Sequence, residues 1–254
     1  GVAKKTIVVL VHGRPVTFGA GNQVLERVDA LFSAFRPGEA FGAAMANLLS
    51  GETNPSGKLS QSWPRSVGEV GSGSTPWLQA VRGKWLANKQ GSVDELDGRR
   101  YDDYVSSASG EDAGTPLFYF GHGMSYTNFS YESMEVREVG GGGGDDDVLW
   151  IVRVTVRNLT PVFGTEVVQV YVRDPSGLPF VPFWKRLIGY GRLSLSSGEV
   201  GYVDVAIKKD DVAMWHDSMT KGPTLTLFPG DYVVTAGGAS NDATLFQTMT
   251  VLGE

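Results

Sequence analysis

The 254-residue chain contains no cysteine. That absence removes disulfides, thiolate nucleophiles and thiolate metal sites together, and it leaves the redox compartment open. Histidine is nearly as scarce. His12, His122 and His216 are scattered singly, so no pair has the i, i+4 spacing that sets two imidazoles on one helix face around a metal. An excess of positive charge is also missing: 22 Lys and Arg stand against 28 Asp and Glu, a formal net charge of −6. A chain so balanced, without a basic run, is not drawn to nucleic acid or to an anionic membrane surface. Its longest apolar runs fall far short of the roughly 20 residues that a membrane-spanning helix needs. The sequence starts with Gly1, and a hydrophobic strand begins within six residues with no signal-like apolar core before it, which reads as a chain whose N-terminal part is missing.

What is present divides into two textures. Residues 6–11 form a continuous β-branched run of the kind found in strands covered on both faces. Val24, Leu25 and Val28 have a short helical spacing, and Ala30 to Phe35 reads as a second buried strand ending in the turn Arg36-Pro37-Gly38. From Glu39 to Leu49, the positions Phe41, Ala44, Met45, Leu48 and Leu49 predict a helix stopped by Gly51. Strand, helix, strand, helix is the pattern of an α/β layer with parallel strands. Residues 51–116 are turn-rich and carry Trp63, Trp77 and Trp85, which are expected to anchor a long loop to a core. From Val148 onward, short strands recur, at Leu149 to Val156, Val167 to Val172, Arg186 to Leu195, Val200 to Ile207 and Tyr232 to Ala236. This spacing predicts a β-sandwich of immunoglobulin or fibronectin III style. Gly140 to Gly144 with Asp145 to Asp147 reads as a hairpin tip or insertion.

Several chemistries can be tested against these residues. The stretch Ile7-Val8-Val9-Leu10-Val11-His12-Gly13 resembles the strand after which α/β-hydrolases build an oxyanion hole, but the Gly-x-Ser-x-Gly elbow that such enzymes need is absent from the sequence. A dinucleotide site fails because Gly140 to Gly144 neither follows a strand–turn nor opens a helix. Paired carboxylates, as in glycoside hydrolysis, remain. Glu39, Glu52, Glu69, Asp94, Glu95, Asp97, Asp102 and Asp103 are the candidates, and spacing alone does not rank them. Asn128-Phe129-Ser130 and Asn158-Leu159-Thr160 both fit the N-glycosylation triplet, although Pro161 disfavours the second. They permit secretion, so an extracellular location is favoured while the compartment stays open.

An ordered series of motifs carries more than any one of them. Gly13-Arg14-Pro15 follows a strand, and Arg36-Pro37-Gly38-Glu39 precedes Gly42. Asn54-Pro55-Ser56-Gly57-Lys58-Leu59 leads to Trp63-Pro64, with Ser60 where a proline is usual. Gly98-Arg99-Arg100-Tyr101-Asp102-Asp103 comes next, then Pro116-Leu117-Phe118-Tyr119-Phe120-Gly121-His122-Gly123-Met124-Ser125-Tyr126-Thr127-Asn128-Phe129. Gly164-Thr165-Glu166-Val167-Val168-Gln169-Val170-Tyr171-Val172 closes the series. The set resembles the C-terminal part of glycoside hydrolase family 3, the β-glucosidase and β-xylosidase family, nearly end to end.

The resemblance implies an α/β plus all-β fold: residues 1–126 as the C-terminal portion of an α/β sandwich domain with its long loop, and residues 127–254 as a fibronectin III-like β-sandwich. It implies an upstream (β/α) barrel of roughly 250 residues holding the nucleophilic aspartate. The acid/base glutamate is expected upstream of Gly1 as well, so no carboxylate here inherits either catalytic role. The implied function is that of a piece of a retaining, exo-acting β-glycosidase, most simply a β-glucosidase, which needs no cofactor and takes a β-linked glucoside or xyloside through the barrel. The alternative is a non-catalytic remnant that binds carbohydrate or protein. Under the resemblance His12 is structural, Pro55 and Gly57 fix a turn, and Arg100 pairs with Asp103. Phe118, Phe120, Tyr126 and Phe129 wedge the two domains together. Tyr101, Trp77 and His122 are the candidates for direct sugar contact, each weighed against simple packing.

Overall fold

The computed structural model describes residues 4–18, 24–64, 116–139, 148–178, 185–218, 222–242 and 245–253. Ile7–Val11 (β1) and Ala30–Phe35 (β2) pair in parallel, with Ile7 opposite Ala30 and Val9 opposite Phe32. Before β2, where Val24, Leu25 and Val28 predict helical spacing, a single 3-10 turn covers Leu25–Arg27. Phe41–Ser50 (α1) begins two residues later than the sequence predicts, because Ala40 takes the capping position, and it ends where expected. Gly51, at φ 80°, occupies the left-handed position after the helix that glycine adopts without a Cβ clash. Phe35 is the one non-glycine residue with positive φ among those described, at 51°. It sits where the β1–β2 register slips between Leu10 and Val11, an arrangement that costs on the order of 1 kcal/mol.

The core lies in the β-sandwich. Its strands are Phe129–Glu138 (β3), Val148–Asn158 (β4), Gly164–Arg173 (β5), Arg186–Leu195 (β6), Val200–Lys208 (β7), Gly230–Gly237 (β10) and Leu245–Val251 (β11). They form a four-stranded sheet ordered β11-β10-β5-β6 and a three-stranded sheet ordered β3-β4-β7. A short helix, Lys209–Val212 (α2), and a hairpin of Met214–Ser218 (β8) with Gly222–Thr226 (β9) intervene before β10. Period-two alternation explains the packing. Trp150, Val152, Val154 and Val156 point inward from β4 and meet Val168, Val170 and Val172 of β5 and Tyr232, Val234 and Ala236 of β10. Each of these valines contributes about 1.5–3 kcal/mol on burial.

The outward residues of β4 are polar for the complementary reason. The Arg153 guanidinium donates to both carboxylate oxygens of Asp204 at 2.7 and 2.6 Å and lies 4.0 Å over the Tyr202 ring, while Arg157 grips Glu132. The hydrogen bond from Arg153, more than its charge, holds the Asp204 carboxyl below its usual range. These planar cross-strand pairs keep an exposed sheet face polar. The strand at Arg186 to Leu195 falls where the sequence places it, and those at β4, β5, β7 and β10 extend a residue or more beyond their predicted limits. The sequence reading leaves β3, β8, β9 and β11 unassigned.

Candidate functional site

The two sharpest sequence motifs meet. The segment from Asn54 to Trp63 and the segment from Phe118 to Thr127 run antiparallel in one register: Asn54 faces Thr127, Leu59 faces His122, and Trp63 faces Phe118. The Leu59 N–H donates to His122 O at 2.8 Å, Gly121 N–H to Leu59 O at 2.7 Å, and Trp63 N–H to Phe118 O at 2.7 Å. Asn54 closes one end with its whole amide. Its Nδ2 donates to Thr127 Oγ1 at 2.6 Å and to Phe163 O at 2.9 Å, and its Oδ1 accepts from Ser125 Oγ at 2.8 Å and Tyr126 N–H at 2.9 Å. An asparagine is needed because two donors and one doubly accepting oxygen must sit on one planar group.

The ribbon is fastened to both halves of the molecule. Toward the α/β portion, Tyr126 Oη donates to Leu48 O of α1 at 2.7 Å, and the buried Trp63 indole has its centroid 5.2 Å from His12, 5.9 Å from Phe18 and 6.0 Å from Phe118. His12 contacts Arg14 O through Nδ1 at 2.6 Å and Ser33 Oγ through Nε2 at 2.9 Å, a structural role at the end of the opening strand.

Toward the sandwich, Gln169 of β5 donates to Gly121 O at 3.1 Å and Gly238 O at 2.6 Å, and Ser240 N–H donates to Phe120 O at 2.9 Å. Arg192 of β6 donates to Ser56 Oγ at 3.0 Å. Strand β5 is thus buried on both faces between Val168 and Val172, by the core on one side and the ribbon on the other.

A charged pair sits inside this contact. Lys58 Nζ lies 3.0 Å from Glu166 Oε1 and donates to Gly123 O at 3.0 Å; the side chains are 14% and 6% exposed. Tyr131 Oη donates to the same Glu166 oxygen at 2.9 Å, and burial followed by the Glu166 charge drives the Tyr131 phenol far above its ordinary range. Burial and then the Lys58 charge push the His122 imidazole below its ordinary value, which favours the neutral ring. The sequence placed its glycine constraint on Gly57, but Gly57 has open space where a Cβ would stand and is absent from the positive-φ glycines. The constraint falls on its partners instead. A Cβ on Gly123 would collide with Gly57 O, and Gly121, at φ 80°, leaves a Cβ no room beside Gln169.

Of the sugar-contact candidates, His122 is half-buried with its ring stacked on Phe118 at 5.3 Å, and Tyr101 and Trp77 lie outside the described residues. So do the Arg100–Asp103 pair, Trp85, and the carboxylates Glu69, Asp94, Glu95, Asp97, Asp102 and Asp103. Glu39 and Glu52 are exposed. Among the described residues no group of three or more His, Asp or Glu could hold a metal ion. The residues that sequence reasoning missed are Lys58, Glu166 and Asn54 as partners. Glu166 announces itself only as a lone carboxylate sharing parity with Val168, Val170 and Val172. Chemically, this arrangement is a fastening: its buried carboxylate is already paired with Lys58 and accepts from Tyr131.

Comparison with known proteins places this geometry. Residues 1–126 match the glycosyl hydrolase family 3 C-terminal domain, and residues 166–240 match the fibronectin type III-like domain. The chain belongs to glycoside hydrolase family 3. Similar proteins include a β-xylosidase of Formosa agariphila, 30% identical across 93% of this chain and 28% of its own length. A probable β-glucosidase L of Aspergillus terreus is 30% identical across 98% and 33% respectively. Among solved structures, the β-glucosidase DesR of Streptomyces venezuelae in complex with D-glucose aligns with a TM-score of 0.72 at 30% identity, over 98% of this chain and 29% of that one. β-Glucosidase 3B of Thermotoga neapolitana aligns with a TM-score of 0.69 at 27% identity, over 99% and 32%. The chain therefore spans about a third of the length of the relatives it matches.

Proposed function

We propose that this chain is the C-terminal section of a retaining, exo-acting β-glycosidase, most simply a β-glucosidase, and that it supplies the end of the α/β sandwich domain (1–126) and the fibronectin III-like domain (127–254). The observation that carries this reading is the collinear match to β-glucosidases and β-xylosidases over nearly the whole chain. The ribbon supports it: the motifs that mark the resemblance are the ones that fasten the two portions to each other. Retention follows from a two-step displacement with one carboxylate as nucleophile and another as acid and then base. Both groups belong, in this reading, to the preceding barrel and the earlier part of the α/β domain. The residues described here orient and support, and His122, stacked on Phe118, packs. A β-linked glucoside or xyloside is the substrate of the longer polypeptide, and no cofactor takes part.

The test is hydrolysis of an aryl β-glucoside and an aryl β-xyloside by the 254-residue chain and by a polypeptide extended upstream. The expected result is release by the extended polypeptide and none by the chain above a mock preparation, because removal of both carboxylates removes the covalent and the proton-transfer steps together. Release by the 254 residues alone would falsify the assignment of both carboxylates to the missing part.

A further inference from the structure

Two Asn-x-Ser/Thr triplets remain that the glycosidase reading does not use, and the structure treats them in opposite ways. Asn158, at the end of β4, is fully buried. Its Nδ2 donates to Val162 O at 2.8 Å and to Leu195 O at 3.1 Å, and its Oδ1 accepts from Thr160 N–H at 2.8 Å and Thr160 Oγ1 at 2.9 Å. Both amide hydrogens are thus spent on closing the loop between β4 and β5, and Pro161 stiffens the residue after the triplet. A sugar on Nδ2 would remove one of those hydrogens and demand volume where the loop and β6 already pack.

Asn128 is the reverse case. It is exposed, one residue before β3 begins. Its backbone oxygen accepts from Leu159 N–H at 2.9 Å, and its side chain makes no hydrogen bond among the described residues. Ser130 follows two positions on, at the start of the strand. The neighbouring surface is apolar: Leu159 is 60% exposed, Val162 47% and Phe163 58%. Leu159 is tied to Asn128 by that hydrogen bond, and Thr127 Oγ1 donates to Val162 O at 3.3 Å.

We infer that Asn128 is an N-glycan acceptor and that Asn158 is excluded from that role, so that natively folded chains made in a glycosylating secretory pathway carry one glycan, beside the Leu159–Phe163 loop. In the transfer, Asn128 Nδ2 loses a proton and bonds to the anomeric carbon of an oligosaccharide carried on a lipid diphosphate. The bond from that carbon to the diphosphate oxygen breaks, and the lipid diphosphate leaves with the electron pair. Because transfer precedes folding, a chain modified at Asn158 is unable to close the β4–β5 loop and is lost from the folded population. The inference stands apart from the glycosidase reading, since it concerns surface and burial alone.

The experiment is secretion of the full chain from insect cells behind a signal peptide, isolation of the soluble monomer, and glycopeptide mass spectrometry, alongside Asn128→Gln and Asn158→Gln variants. The expected map shows glycan on the peptide containing Asn128 and an unmodified Asn158. Asn128→Gln abolishes the enzymatically removable mass, while any folded Asn158→Gln keeps it. A bare Asn128 in the secreted monomer, or a glycan on Asn158 in it, overturns the inference. The wild-type map decides even if a variant does not fold.

Discussion

At the scale of single residues, the account rests on side chains such as Asn54, whose amide nitrogen and oxygen are both fully engaged. Asn54 makes four hydrogen bonds with partners from Ser125 to Thr127 and at Phe163, so Asn54→Ala strands several part-buried groups at once. We expect a loss of about 2–4 kcal/mol, since one unmatched buried group costs roughly 1–3 kcal/mol and some partners find water. Asn54→Asp is expected to cost at least as much, because a carboxylate would face Phe163 O with no hydrogen to give. Urea unfolding followed by tryptophan fluorescence measures both, and a change below about 0.5 kcal/mol for either would show that this end of the ribbon carries no load. The motif residues were legible in the sequence, but their partnership was not: nothing local in Asn54-Pro55-Ser56 says that its partner is Thr127, more than seventy positions away. Lys58 and Glu166 were equally hidden, one in a loop and one in a valine-rich strand, and their 3.0 Å contact together with the hydrogen bond from Tyr131 explains why a strand facing a core holds a carboxylate.

At the scale of elements, the strands the sequence missed share a physical cause, which is an interrupted alternation. In β3 the apolar set runs Phe129, Tyr131, then Met134, Val136, so its parity flips at the bulge between Tyr131 and Ser133. In β11 the inward series Leu245, Gln247, Met249, Val251 contains a polar residue, which serves a purpose: Gln247 Oε1 accepts Val136 N–H across the sandwich edge. The β8–β9 hairpin has no apolar face to read, with Trp215 70% exposed and Pro223 in its second strand.

Ahead of β6, Lys185 ties that strand to the turn between β10 and β11, donating to Ser240 O at 2.7 Å and Asp242 O at 3.4 Å over the Tyr171 ring. Burial pulls its ammonium down to about 8, only partly opposed by Asp242. Below that value the folded protein bears the whole cost of a buried ammonium. Between pH 8 and the unfolded value of 10.5, the unfolded chain holds more protons than the folded one, so stability attributable to Lys185 rises with pH. Relative to Lys185→Met, the wild-type protein is expected to gain on the order of 2 kcal/mol between pH 7.5 and pH 10. Parallel unfolding curves across that range would refute the depressed lysine.

At the scale of the whole molecule, the fold class followed from composition and periodicity because both textures are strong. A parallel pair with a helix precedes the ribbon, and the seven strands of the sandwich follow it. The β1–β2 pair and α1 contain no fully buried residue, whereas the sandwich holds a continuous valine-rich core. The central claim, that these residues close a β-glycosidase begun elsewhere, is tested most directly by translating the transcript upstream of Gly1 in the same frame. The account predicts an open frame that encodes a (β/α) barrel of roughly 250 residues with an aspartate nucleophile, followed by an α/β segment carrying a glutamate acid/base. A start codon within a few positions of Gly1 would contradict it and leave a non-catalytic protein that binds through its β-sandwich.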